Sequence, residues 1–129
     1  MSEPARTTLP TNSEERKGFP LLSGCLNYFP AAIAQVARVS KHGNDKHNPG
    51  QPLHHSRGKS MDHGDCILRH TVDLEGYKAA LRQGSEVKDL VIYEAAQRAW
   101  RALAELQALC EELLDAPLAP AARESEVEQ

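Results

Sequence analysis

Asp62 and Asp65 stand three residues apart near the middle of the 129-residue chain. On a helix that spacing projects two carboxylates side by side. Adjacent carboxylates repel unless protons or a cation lie between them. A hard divalent ion, Mg²⁺ or Mn²⁺, meets that need, held by a few carboxylates and by phosphate oxygens. Arg57, Lys59 and Arg69 bring positive charge to the same stretch. The run Arg57-Gly58-Lys59-Ser60 leads into the start of the helix carrying the aspartates, where free N–H groups favour a phosphate. Together these residues read as a triphosphate site. Asp62 and Asp65, helped by Glu94, would hold the metal, and the three cations would hold the phosphates. His63 or His70 would orient or activate an attacking water. His47 and Asn48 would line the mouth and touch the base.

The same residues admit plainer roles. Asp62 at a helix start stabilises the dipole, and Asp65 with Arg69 makes an ordinary i,i+4 ion pair. All six histidines, His42, His47, His54, His55, His63 and His70, crowd into one stretch. His63, Cys66 and His70 share a helical face, and His47, His54 and His55 could join them from a loop. Zn²⁺ is therefore the alternative metal, although the spacing matches no zinc signature. Neutral loop histidines also bind phosphate or base edges, or cap carbonyls. Glu94 with Arg98, and Arg101 with Glu105, read as solvated i,i+4 pairs. The functional alternative turns Glu94, Glu105 or Arg101 toward the second helix to complete the site. Trp100 reads as the edge of a core rather than a stacking platform.

The elements that must position these groups are helical. Phe29, Ile33 and Val36 recur at helical spacing, so a first helix is expected between Pro20 and Ser40, with Pro30 in its first turn and Gly43-Asn44 ending it. A His-rich loop follows from His42 to Lys59. Ser60 is the expected N-cap of a second helix running from Met61 to about Leu74. Gly76 to Asp89 is ambiguous. The last helix, Val87 to Leu114, carries the apolar stripe Ile92, Ala96, Ala99, Leu103, Leu106, Cys110 and Leu113, expected to face the core. No strand-like alternation appears. The fold expected is an all-α small bundle of three main helices with a long loop, spanning residues 19–115. Residues 1–18 read as a disordered or loosely packed tail, and the acidic 116–129 as a disordered one.

Composition narrows the classes further. The apolar fraction is 40 % but aromatics are only 5 %, so the core is thin and a homo-oligomer is expected. A net charge of −3 argues against a general nucleic-acid binder. That figure hides an acidic stretch, residues 86–115, with seven acids against three bases, and a basic loop before it. No apolar run is long enough for a membrane span and no secretory signal is visible. Cys25, Cys66 and Cys110 are scattered, as reduced thiols of a cytoplasmic protein would be.

The middle of the chain also resembles a known family. The run Gly43-Asn44-Asp45-Lys46-His47-Asn48-Pro49-Gly50, then Pro52-Leu53-His54, Arg57-Gly58-Lys59-Ser60, Asp62-His63-x-Asp65 and Arg69-His70, followed by Ala99-Trp100-Arg101-Ala102-Leu103-Ala104, is similar to small phage proteins of the dATP/dGTP diphosphohydrolase N-terminal-domain type. The resemblance covers about residues 18–110. It implies a phage origin, a place in the host cytoplasm, and metal-dependent cleavage of a purine deoxynucleoside triphosphate to monophosphate and pyrophosphate. The chemistry is comparable to that of all-α MazG-type pyrophosphohydrolases. Their Glu-Glu-x-x-Glu metal run is absent here, and Asp62-x-x-Asp65 stands nearest to it. Two other functions fit the same residues: a non-catalytic phage accessory protein that binds a nucleotide or host partner through the basic loop, and a zinc-stabilised structural module.

Overall fold

The computed structural model describes residues 8–55 and 62–122. It is all-α, with three main helices and no strand among the described residues. A short helix, α1 (Ser13–Arg16), is capped by Asn12, whose side chain accepts from the Glu14 and Glu15 amides. A single π-type turn follows at Leu22–Leu26. The bundle proper consists of α2 (Pro30–His47), α3 (His63–Arg82) and α4 (Lys88–Leu113). α4 is the central element: α3 packs along it and α2 packs on it as well. No helix is long and apolar enough to cross a membrane among the described residues.

Pro30 occupies the first turn of α2, as its spacing implies. The helix does not stop at Gly43-Asn44; it continues to His47. Open space surrounds Gly43, and Asn44 is buried at 2 % exposure, so its tertiary bonds outweigh its poor helix propensity. The stop comes at Asn48-Pro49-Gly50-Gln51, where Gly50 takes φ +76° and the Gln51 amide donates to the Asn48 carbonyl at 3.0 Å. Proline followed by a left-handed glycine is the pattern of a type II turn. The expected loop from His42 therefore begins six residues later, after His47.

α3 also differs from expectation. Asp62 sits at its N-cap position and His63 opens it, whereas Ser60 and Met61 lie outside the described residues. The helix passes through Gly76 to Arg82, absorbing most of the ambiguous stretch. Gly84, at φ +95°, ends it: the Gly84 amide donates to the Leu81 carbonyl and the Ser85 amide to the Ala80 carbonyl. That double bond is the Schellman stop.

The core is small. Val39, Cys66, Leu74, Ala96 and Ala122 are its buried apolar residues. Ala122 belongs to the expected disordered tail, yet it is packed, and residues 116–119 are half-buried. The expected core stripe of α4 is a correction of larger consequence. Ala96 is buried, but Ile92, Leu103, Leu106 and Leu113 are exposed. Meanwhile Glu94, Arg98, Arg101 and Glu105, expected to be solvated, are half-buried. On that side of α4, Glu94 finds a partner on α3 and Arg101 borders a cavity.

Candidate functional site

The cavity lies where the C-terminal half of α2, the segment after it and the middle of α4 meet. Its volume is about 590 Å³, within the usual range for small-molecule sites. α2 contributes Ser40, His42, Lys46 and His47; the following segment contributes Asn48, His54 and His55. Tyr93, Gln97, Trp100 and Arg101 come from α4. Buried Val39 and Cys66 complete the wall. Among the described residues, two permanent cations and four histidines line this space, and no carboxylate does.

Asn44 builds the wall that carries His54 and His55. Its Nδ2 donates to the Gln51 carbonyl at 3.0 Å. Its Oδ1 accepts from the His54 amide at 2.9 Å and from Asn48 Nδ2 at 3.2 Å. Asn48 Nδ2 also reaches the His54 carbonyl at 3.3 Å. One buried amide thus folds the chain after α2 back against the helix. His55 then meets Ser40, Nε2 to Oγ at 2.9 Å, and its ring lies 4.9 Å from that of Trp100. His42 meets Tyr93 edge-on at 5.2 Å, and Gln97 donates to the Tyr93 hydroxyl at 2.6 Å. The aromatic residues of α4 therefore line the site in contact with imidazoles, rather than closing the core as expected for Trp100.

Partial burial, with the neighbouring His54 adding to it, pushes the His55 imidazole below its ordinary pKa of 6.5. A neutral imidazole both donates and accepts, so His55 can hold a hydroxyl or water in the pocket. The depressed value also has a sign. Between the folded pKa and 6.5 the unfolded chain binds more protons, so this contribution to stability is complete above pH 6.5 and declines as pH falls through that window. Melting temperature measured from pH 7.5 down to 5 is expected to fall less steeply in His55→Gln than in the parent. Identical slopes would remove His55 as the source.

The sequence-selected residues divide sharply. His47 and Asn48 line the pocket, as expected for its mouth. Arg57 and Lys59 lie outside the described residues. Arg69 pairs with Asp62 at 2.8 Å, not with Asp65. Both are surface side chains, and the bond to Asp62 raises the guanidinium pKa. His70 Nδ1 donates to Glu94 Oε2 at 2.6 Å, with side-chain exposures of 25 % and 12 %. This pair joins α3 to α4, and neither member lines the pocket. His63 Nδ1 is buried without a hydrogen-bond partner among the described residues.

The proposed ligand set Asp62, Asp65 and Glu94 is not assembled, because Glu94 is held by His70 and Asp62 by Arg69. No three His, Cys, Asp or Glu side chains are grouped to hold a metal among the described residues. Neither the Mg²⁺ set nor the Zn²⁺ set expected from the sequence is grouped among those residues. The cysteines are free, with Cys66 buried.

Ser40, His42, Lys46, Tyr93 and Gln97 line the pocket without having been singled out in the sequence, whereas His54 and His55 entered as zinc candidates and Arg101 as a residue completing the site from the last helix. The clustering of histidines between 42 and 55 was the available signal. Searches against protein-family models, curated proteins and solved structures match nothing to this chain.

Proposed function

We propose that this protein binds a nucleoside triphosphate in the pocket between α2 and α4. The observation that carries the reading is the sign of the lining. In a chain of net charge −3, the described residues that line one cavity include Lys46, Arg101 and four histidines and no carboxylate. Guanidinium and ammonium groups bind phosphate oxygens through charge-assisted hydrogen bonds. Neutral imidazoles add donors without adding repulsion. Tyr93 and Trp100 give the same cavity aromatic surface against which a base can pack. The resemblance to the phage dATP/dGTP diphosphohydrolase type makes dATP and dGTP the first ligands to test.

Pyrophosphohydrolysis is the catalytic form of this proposal. Its support is that resemblance, together with the position of Asp62 one helical turn before Cys66, which borders the pocket. A metal-independent binding role agrees better with the carboxylates' present engagement in Asp62–Arg69 and His70–Glu94 pairs.

Calorimetric titration with dATP, dGTP, tripolyphosphate and deoxyadenosine, each with and without Mg²⁺, tests the reading. Binding is expected for the triphosphates, and Arg101→Ala is expected to weaken it about 10- to 100-fold, the loss of one or two charge-assisted bonds. Pyrophosphate release, abolished in Asp62→Asn and Asp65→Asn, would establish the hydrolase; binding without release establishes the binding module. No interaction with any triphosphate at millimolar concentration ends both.

A further inference from the structure

The outward side of α4 carries a repeat that the bundle does not use. Ile92, Ala99, Leu106 and Leu113 recur every seven residues, and Ala95, Ala102 and Leu109 stand three residues after the first three of them. These are the a and d positions of successive heptads, and all seven are apolar. Ile92 is 46 % exposed, Leu106 56 %, Leu109 43 % and Leu113 70 %, with Leu103 beside them at 50 %. Ala99 and Ala102 are exposed too. Outside the described residues, Met1, Met61 and Val127 are the only large apolar side chains.

We propose that α4 pairs antiparallel with α4 of a second copy of this chain, about a two-fold axis near Ala99 and Ala102. A heptad seam is self-complementary, so a two-fold axis lets the same stripe serve both partners. Small residues at the centre let the two helix axes approach closely. The flanking charges choose the direction. Arg98 and Glu105 border the same edge of the stripe. Antiparallel pairing sets Arg98 of each copy across from Glu105 of the other, twice over. Parallel pairing would set both against the apolar edge formed by Ala96, Leu103 and Cys110. Covering the stripe removes on the order of 1,000 Å² in total, near the lower bound for a specific interface. An anionic membrane is a poor occupant, since the helix and its flanks carry seven acids against three bases over residues 86–115. The pairing does not depend on the nucleotide reading, because no residue of the seam lines the pocket.

Analytical ultracentrifugation of the full chain tests the proposal. The parent is expected to sediment at twice the 14.2 kDa chain mass. Leu106→Glu is expected to weaken association roughly 100-fold, because it buries an unpaired charge in the seam, while helicity and dATP titration stay unchanged. Arg98→Glu alone is expected to weaken association, and Arg98→Glu with Glu105→Arg to restore it. A monomeric parent, or a Leu106→Glu dimer of unchanged affinity, would overturn the pairing. Failure of the double exchange to restore association would overturn its antiparallel direction. Binding of a monomeric parent to vesicles of phosphatidylcholine and phosphatidylserine would assign the stripe to a lipid surface instead.

Discussion

Asn44→Ala is expected to lower unfolding stability by about 2–4 kcal/mol and to abolish ligand binding in the pocket. The substitution deletes three hydrogen bonds, to the Gln51 carbonyl, the His54 amide and Asn48 Nδ2. A typical bond contributes about 1 kcal/mol net, and each buried backbone group left without a partner adds a desolvation penalty of about 1–3 kcal/mol. Two of the three partners are backbone groups of a segment with no secondary structure of its own. Its other anchors are weaker: Asn48 Nδ2 reaches the His54 carbonyl at 3.3 Å, and His55 touches Ser40 and Trp100 through its side chain. Releasing it disperses His54 and His55 and opens one wall of the site.

Urea unfolding followed by far-ultraviolet circular dichroism reads the stability term. The midpoint should fall at unchanged slope, since the helices remain. Asn44→Asp separates the contributions. It keeps an acceptor for the His54 amide but loses the donor to Gln51 and places a charge where the residue is 2 % exposed, so it should be no better than alanine. A change below about 0.5 kcal/mol for Asn44→Ala, the size of a neutral surface substitution, would show that the segment is held by something other than this amide.

Asn44 also marks where sequence reading succeeds and fails. Local rules with a steric cause were legible: Pro30 in a first turn, and α4 within one residue at each end. Rules that weigh local preference against tertiary bonds were not. Gly43-Asn44 looks like a terminator because both residues disfavour helix, yet buried bonds from Asn44 keep the helix going. Gly76 looks like a break for the same reason, and packing of α3 on α4 carries the helix through it. Periodicity shows that a helix has two faces; it does not show which one is buried. In α4 the strongest apolar stripe lies outward, while Glu94 and Arg101 face α3 and the pocket. The candidate site is open to the same ambiguity. Asp62, Asp65 and Arg69 form a chemically capable arc, but on the protein surface Asp62 and Arg69 pair with each other. The histidines after residue 40 were visible as a cluster, and their convergence with Trp100 and Arg101 depended on a long-range hydrogen bond that spacing does not encode.

Leu74→Ala and Gly76→Ala, two residues apart on α3, are expected to move stability in opposite directions. Leu74 is 3 % exposed. The other buried apolar residues are Val39, Cys66, Ala96 and Ala122, so Leu74 is the largest aliphatic group in that core. Its truncation removes three carbons, about 0.8 kcal/mol each by transfer, and leaves a cavity that two helices only partly close. The expected loss is about 2–5 kcal/mol, a large share of the 5–15 kcal/mol typical of a domain. At Gly76 nothing lies within 4 Å of the position a Cβ would take, and the residue is helical without positive φ. Alanine there should add about 0.5–1 kcal/mol by limiting the unfolded chain. Thermal melts of the two variants check both signs at once. If α3 ended near Leu74 and Gly76 were a hinge, Gly76→Ala would be neutral or destabilising, and Leu74→Ala would cost no more than loss of a frayed end. Opposite shifts in one helix would instead establish that α3 runs unbroken through Gly76 to Arg82.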